Sequence, residues 1–174
     1  LYTKVEGTPG DWETIDNGDG TLTIVGYKGS DTEVIVPNYY EGKKVTGVRS
    51  QGDGPIFENN TTWTSSNGEW TDPANDTITK LTISEGIEII GKSAFAHCMS
   101  ITGDLIIPDS VTTIEEKAFY ICSSLNGTLT LGNQIETIGI QAFQSLKVTG
   151  DLIIPDSVTT IETSAFYSCQ SLDG

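Results

Sequence analysis

The sequence is poor in the residue types that favour helices. Its 174 residues include only 6 Ala, 10 Leu and 1 Met, whereas Ile, Val and Thr number 20, 9 and 24. Side chains branched at Cβ lose rotamer freedom in helices and pack well on pleated sheets. The composition therefore predicts a chain made mostly of strands and turns.

Positive charge and long apolar runs are also scarce. Lys and Arg number 9 against 24 Asp and Glu, which gives a net charge of −15. Such a surface repels phosphates and anionic lipid headgroups, so we expect no nucleic-acid partner and no membrane insertion. The longest apolar runs, such as residues 105–107, are too short to cross a bilayer. No signal-like stretch follows Leu1, so we expect any export signal to have been removed.

What the sequence does contain is an internal repeat. The segment LIIPDSVTTIE at residues 105–115 recurs unchanged at residues 152–162, and looser copies begin at Leu81 and Leu129. The opening Leu residues are spaced 24, 24 and 23 residues apart. An Ala-Phe pair keeps the same phase in all four copies, at residues 94–95, 118–119, 142–143 and 165–166.

Each copy is predicted to form one coil of a solenoid. Leu105 and Ile107 are two residues apart and share one face of a short strand, which Pro108 ends because it has no N–H to donate. The Ala118-Phe119 pair is then predicted to point inward. A single coil buries too little apolar surface to offset its ordering entropy, so coils must stack on a shared core. We therefore expect the equivalent Phe residues to form an internal column.

This pattern resembles the BspA-like leucine-rich repeats of bacterial surface proteins, in which Leu-x-Ile-Pro is followed by Val, Ile, Ala-Phe, Cys and Leu. The resemblance covers residues 81–174 closely. It implies a mostly β, right-handed leucine-rich-repeat solenoid with 23–24-residue repeats and an N-terminal β-hairpin cap. Residues 16–20, DNGDG, lie between two runs of alternating apolar residues and independently predict that hairpin.

The repeat phase suggests a division of the chain into units. These are the hairpin cap (1–30), a degenerate first repeat (31–58), an irregular insertion (59–80) and four repeats (81–104, 105–128, 129–151 and 152–174). The last repeat ends without a cap, so we expect the natural chain to continue beyond Gly174. An end-to-end dimer through the terminal coil is the alternative.

Residues suited to catalysis or metal binding do not form a convincing set. Cys98, Cys122 and Cys169 share a repeat position with Leu146, which predicts a core slot, with a Cys98–Cys122 disulfide as a minor alternative. His97 is the single histidine, and its repeat position varies so widely that it is predicted to be exposed and unconstrained. With Asp16 as the first position, the DNGDG segment has Gly18 at position three, where a calcium loop needs a carboxylate or amide ligand. We predict no catalytic residues, metal site or cofactor.

Two surfaces are candidates for binding. The middle residue of each Leu-x-Ile strand should face outward, and with the residues flanking the strand it would form a ladder on the open face of one sheet. This candidate ligand face consists of Thr82, Ile106, Thr130 and Ile153, flanked by Lys80, Asp104, Thr128 and Asp151. Trp63 and Trp70 in the insertion are the second candidates, since an exposed indole can stack on a sugar or anchor a protein; packing on their own solenoid is the alternative.

The family resemblance implies a non-catalytic cell-surface or secreted module that binds proteins or matrix components. Two other functions stay open at this point. The chain could be the targeting scaffold of a larger extracellular enzyme, or a carbohydrate-binding module that uses the insertion tryptophans to hold a glycan.

Overall fold

A computed structural model of the chain describes residues 2–52, 54–57, 64–66, 69–71 and 78–173. The regular elements of these residues are all β-strands, as the composition predicts. The strands are β1 (Trp12–Asp16), β2 (Thr21–Tyr27), β3 (Glu33–Val36), β4 (Tyr39–Tyr40), β5 (Lys43–Val48), β6 (Thr64–Ser66), β7 (Glu69–Thr71), β8 (Lys80–Ile83), β9 (Ile89–Ile90), β10 (Leu105–Ile106), β11 (Thr113–Ile114), β12 (Leu129–Thr130), β13 (Thr137–Ile138), β14 (Gly150–Asp151), β15 (Thr160–Ile161) and β16 (Leu172–Asp173).

One side of the solenoid is a long sheet in the order β1-β2-β5-β9-β11-β13-β15, with β4 paired to β5. From β2 onward the six strands of this order pair in parallel, and equivalent residues of successive coils are partners, such as Ile90 with Ile114 and Ile114 with Ile138. The inward Ile of each strand is fully buried in these three coils. The predicted stacking of coils in register is therefore confirmed.

The N-terminal hairpin continues this long sheet. β1 pairs antiparallel with β2, and β2 pairs parallel with β5 of the first coil. The turn between β1 and β2 is held by two carboxylates, because Asp16 accepts from the Gly18 N–H at 2.8 Å and Asp19 accepts from the Thr21 N–H at 2.9 Å. Trp12 and Tyr27 are buried with their rings 4.6 Å apart, so the hairpin covers the apolar end of the first coil.

Phenylalanine rings run through the core as a column. The ring centroids of Phe95, Phe119, Phe143 and Phe166 follow one another at 5.2, 5.5 and 5.2 Å. Phe57 extends the column into the first coil, 5.8 Å from Phe95. Ala94, Ala118 and Ala142 are fully buried beside these rings, where a larger side chain would hold the backbone away.

The turns that carry the Ala-Phe pairs form a third connection between coils. Here alternate N–H groups donate to the next coil, as Phe95 does to the Ala118 carbonyl and Phe119 to the Ala142 carbonyl, both at 2.8 Å. The intervening N–H groups close turns within the same coil; for example, the Ala96 N–H donates to the Ser93 carbonyl at 3.2 Å. This alternation requires two residues per coil with positive φ, and they are Ser93 and His97, Lys117 and Ile121, Gln141 and Ser145, and Ser164 and Ser168.

Candidate functional site

The Leu-x-Ile segments do not belong to the long sheet and form a second side of the solenoid. We call this side the interrupted face. Its outward row contains Thr82, Ile106, Thr130 and Ile153, all exposed, with Ile106 at 61 % and Ile153 at 75 %. β3 adds Ile35, which is 53 % exposed and is the register partner of Thr82. Ile and Thr therefore alternate along the outward row from the first coil to the last.

Ile35 was missing from the predicted face, although the sequence carries a signal for it. The first repeat is degenerate, but it keeps the segment Val34–Pro37, in which Ile35 is the middle residue before Pro, like Ile106 before Ile107-Pro108. The parallel pairing of β3 with β8 places Ile35 in line with the later coils.

The flanking positions form a second, charged row. Lys80, Asp104, Thr128 and Asp151 are all exposed, and β3 contributes Glu33, whose carboxylate lies 3.5 Å from the Lys80 ammonium group. The structure also joins Asp104 to Thr128, because the Asp104 Oδ1 atom accepts from the Thr128 N–H at 2.7 Å and from its hydroxyl at 2.9 Å. These hydrogen bonds lower the pKa of Asp104, so its carboxylate is ionised at neutral pH.

Carboxylates hold consecutive coils together at other positions too. Asp109 accepts from the Asn133 N–H at 3.0 Å, and Glu85 accepts from the N–H groups of Asp109 and Ser110 at 3.0 and 3.1 Å. Charge-assisted hydrogen bonds of this kind are stronger than neutral ones. Part of the acidic excess therefore serves the stacking of coils, a role that the charge count alone did not reveal.

The strand pairing beneath this outward row is not continuous. Hydrogen-bonded pairing divides the interrupted face into three two-stranded sheets, β3-β8, β10-β12 and β14-β16, with a single bridge from Thr128 to Thr149 between the last two. Both breaks precede a coil that enters its strand through Thr-Gly-Asp, at residues 102–104 and 149–151. In those segments Gly103 and Gly150 adopt φ values of 86° and 85°, a conformation that redirects the chain and displaces the strand that follows.

The coil between the two breaks enters its strand differently. It carries Asn126-Gly127-Thr128, and Gly127 lies directly on the preceding coil: a Cβ there would be 2.5 Å from the carbonyl carbon of Gly103. The Gly127 N–H also donates to the Gly103 carbonyl at 2.9 Å. This close approach accompanies the pairing of β10 with β12.

The first break opens a groove of about 370 Å³ between β8 and β10. Leu81, on the inward side of β8, is half-buried, whereas Leu105 and Leu129 at the same repeat position are only 2 % and 7 % exposed. The groove brings together four residues of the predicted face and its flanking positions, Lys80, Thr82, Asp104 and Ile106, beside the apolar Leu81. Its lining is Lys80, Leu81, Thr82, Ile83, Thr102, Gly103, Asp104 and Ile106.

The cysteines occupy the core slot that the repeat predicts. Cys98, Cys122 and Leu146 are buried, and each of the three cysteines is a thiol. The Cys122 thiol donates to the Phe95 carbonyl at 3.0 Å, and the half-buried Cys169 donates to the Phe143 carbonyl at the same distance. Burial raises the pKa of the Cys169 thiol, which disfavours the reactive thiolate.

The prediction that His97 is exposed and unconstrained is wrong. It is half-buried, its φ is 58°, and its ring meets the Tyr120 ring edge-on at 5.3 Å. Its N–H donates to the Tyr120 carbonyl at 2.7 Å, as part of the ladder between turns. The residue types at this position vary because the turn selects a backbone conformation rather than a side chain.

Several features bear on other classes of site. Within the described residues, no three His, Cys, Asp or Glu side chains lie close enough together to hold a metal ion. No helix that could cross a membrane occurs in that part of the chain. Trp63 lies outside the described residues, as does the side chain of Trp70; the backbone of Trp70 belongs to β7, which pairs antiparallel with β6.

Comparisons with known proteins agree with the repeat pattern. The model of the BspA type leucine-rich repeat region (6 copies) matches residues 74–173. No match was found among curated proteins.

Three solved structures are similar in fold. The T. pallidum leucine-rich repeat protein aligns with a TM-score of 0.74 and 21% identity over 97% of this chain and 69% of its own. A leucine-rich repeat protein from Bacteroides ovatus gives 0.70, with 23% identity over 96% of this chain and 40% of its own. A leucine-rich cell surface protein from Faecalibacterium prausnitzii gives 0.51, with 22% identity over 96% of this chain and 53% of its own.

Proposed function

The chain belongs to the BspA-type leucine-rich repeat family, and we propose that it is a cell-surface or secreted recognition module that binds proteins or matrix components through its interrupted face. The repeat fold supports a protein-interaction role, because stacked coils present extended rigid surfaces. The structural neighbour from Faecalibacterium prausnitzii is described as a cell surface protein, which supports the same location for this chain.

The outward row of the interrupted face is the observation that carries this proposal. Ile35, Ile106 and Ile153 are between 53 % and 75 % exposed, and they recur at every second coil. The long sheet sets a rise of about 4.8 Å for each coil, so these three Ile residues, which lie in the first, third and fifth coils, span about 19 Å along the solenoid. Covering apolar surface yields about 25 cal/mol per Å², so a partner that lies along this row gains affinity from each Ile.

The long sheet is a weaker candidate for the same role. Its outward row runs through Ile15, Thr23, Gly47, Ile89, Thr113, Thr137 and Thr160. Its two Ile residues are 37 % and 44 % exposed, less than the Ile residues of the interrupted face, and they stand far apart among smaller and more polar residues. Glu88 and Glu136 add negative charge beside that row. This face supplies a matched control for the proposal.

The acidic surface favours a partner with basic segments. A net charge of −15 raises the local concentration of cationic ligands and repels polyanions. This attraction depends on ionic strength, because exposed charges separated by more than about 8 Å are screened at physiological salt. Binding is therefore expected to weaken as salt is added.

The test compares three variants on immobilised extracellular-matrix proteins by biolayer interferometry. Ile106→Glu and Ile153→Glu each place a charge in the outward row, and Ile89→Glu makes the same change on the long sheet. We expect the first two to weaken binding about tenfold or more, since each removes apolar contact and buries a charge, and the third to leave it unchanged. Equal loss in all three, or loss in Ile89→Glu alone, would contradict the proposal.

A further inference from the structure

The groove between β8 and β10 differs from the rest of the interrupted face because two backbone edges meet there without pairing. The N–H of Lys80 donates to the Thr32 carbonyl and that of Ser84 to the Val36 carbonyl, so the even-numbered residues of β8 face β3. Alternate residues of a strand direct their backbone groups to opposite sides. Leu81 and Ile83 therefore direct theirs into the groove.

The opposite wall of the groove is β10, and its pairing with β12 decides which of its backbone groups face the groove. The N–H groups of Leu105 and Ile107 donate to the carbonyls of Thr128 and Thr130 at 2.8 and 2.9 Å, so the odd-numbered residues face β12. Asp104 and Ile106 then direct their backbone groups toward β8. The two coils are joined at the start of the groove, where the Thr102 N–H donates to the Thr79 carbonyl at 3.0 Å. Beyond that point, among the described residues, no backbone hydrogen bond joins β8 to β10.

The width of the groove limits what can enter it. Cα atoms of β8 and β10 approach within 8 Å, whereas a strand inserted between them would need about twice the 4.8 Å strand spacing. A further strand is therefore too wide for this space, whereas a side chain from a segment that lies over the groove can enter it.

The chemistry of the lining selects among side chains. Leu81 and Ile106 supply apolar surface, and the unpaired backbone edges of both strands offer carbonyl acceptors beside N–H donors. Asp104 lines the same groove; its Oδ1 atom accepts from Thr128, while its Oδ2 atom accepts from none of the described residues. Lys80, the one cation among the described residues of the lining, lies beside Glu33, which offsets its charge.

We infer that this groove receives an arginine side chain from an extended segment of the partner protein. The inference rests on the proposed function and names the chemistry of its ligand. An arginine carries a methylene stem that suits the apolar surface of Leu81, and a planar guanidinium with five donors that suits carbonyl groups and a carboxylate together. The acidic excess of the whole chain attracts such a cation, and the compact ammonium of lysine cannot reach as many acceptors.

The probe is a short peptide, acetyl-Gly-Ser-Arg-Ser-Gly-amide, titrated into the 15N-labelled chain. Its control is the same peptide with citrulline, which keeps the shape of arginine and removes the charge. Saturable shifts are expected for the amide signals of Leu81, Ile83, Asp104 and Ile106, with the citrulline peptide about tenfold weaker or more, as expected for a lost charged hydrogen bond. Equal binding of the two peptides, or shifts that map to the long sheet, would overturn the inference.

Variants of the protein locate the site. Asp104→Asn keeps an Oδ1 acceptor for Thr128 and removes the charge, and we expect it to weaken the arginine peptide about tenfold. Asp156→Asn is the control, an exposed carboxylate two coils away that belongs to neither the outward row nor the flanking row, and it should bind normally. Thr82→Arg places a guanidinium of the chain itself at the groove and should block the peptide; normal binding to this variant would contradict the site.

The groove and the proposed function can fail separately. If the arginine peptide produces no saturable shift while Ile106→Glu and Ile153→Glu still weaken matrix-protein binding, the groove inference is wrong and the recognition face stands. If those two variants bind like the unaltered chain, the proposed face is wrong whatever the peptide does.

Discussion

Individual residues of the core show how strongly the repeat constrains this chain. Phe119 is fully buried between Phe95 and Phe143, with ring centroids 5.2 and 5.5 Å away. Its burial was predictable because a Phe follows an Ala at the same position of every repeat from residue 81 onward. The conformation of His97 was not predictable, because its positive φ follows from hydrogen bonding between turns and not from its residue type.

Replacing Phe119 with Ala should cost about 3–5 kcal/mol of unfolding free energy, since the column above and below cannot close the cavity. Reversible urea denaturation measures this loss. Tyr167→Ala, at a side chain 63 % exposed in the last coil, is the control and should stay within about 0.5 kcal/mol of the unaltered chain. A loss below about 1 kcal/mol for Phe119→Ala would contradict its core position.

Tyr27 makes the stability of the hairpin cap sensitive to alkaline pH. Burial, and then the hydrogen bond from its hydroxyl to Asp31 at 3.0 Å, raise the pKa of Tyr27 from 10.0 to about 12. The folded chain therefore keeps a proton that the unfolded chain releases, so this contribution is complete below pH 10 and is lost as pH rises toward 12.

Urea unfolding at a series of pH values through this range tests the point. The unaltered chain should lose stability more steeply than Tyr27→Phe, which has no proton to release, while Tyr167→Phe should follow the unaltered chain. Parallel pH profiles for the unaltered chain and Tyr27→Phe would show that Tyr27 titrates normally.

At the scale of elements, the sequence predicts the coils well and their connections poorly. The Leu-x-Ile strand, the Pro that ends it and the inward Val111 and Ile114 all follow from apolar spacing, and the structure confirms their burial. The breaks in the interrupted face do not follow from that spacing. They depend on whether Gly103 and Gly150 take positive φ, and on how closely Gly127 approaches the preceding coil.

The turn ladder gives an element-scale prediction at Ser145, whose φ is 63°. Valine there should destabilise the chain by about 1 kcal/mol, because a left-handed backbone crowds its branched Cβ, whereas glycine should be neutral or stabilising. Ser123 is similarly half-buried and has no positive φ, so Ser123→Val is the matched control. Thermal or urea unfolding measures the stability of Ser145→Val, Ser145→Gly and Ser123→Val. Similar losses for the two valine variants would show that the positive φ of Ser145 does not cause the destabilisation.

At the scale of the whole molecule, three sets of contacts join every coil to the next. These are the long parallel sheet, the turn ladder and the phenylalanine column, and carboxylates such as Asp104 and Asp109 add charged hydrogen bonds between coils. Each coil is stable only through its neighbours, which is why the outward row of the interrupted face is held in a fixed spacing. The recognition role depends on that spacing.

The most direct test is an NMR spectrum of the chain labelled only at phenylalanine. All five Phe residues belong to the column, and their ring centroids are 5.2–5.8 Å apart. The stacked coils predict ring-to-ring nuclear Overhauser contacts that link Phe57, Phe95, Phe119, Phe143 and Phe166 in that order. Five rings without mutual contacts, or with the shifts of solvent-exposed phenylalanine, would contradict the stacking and the binding face that depends on it.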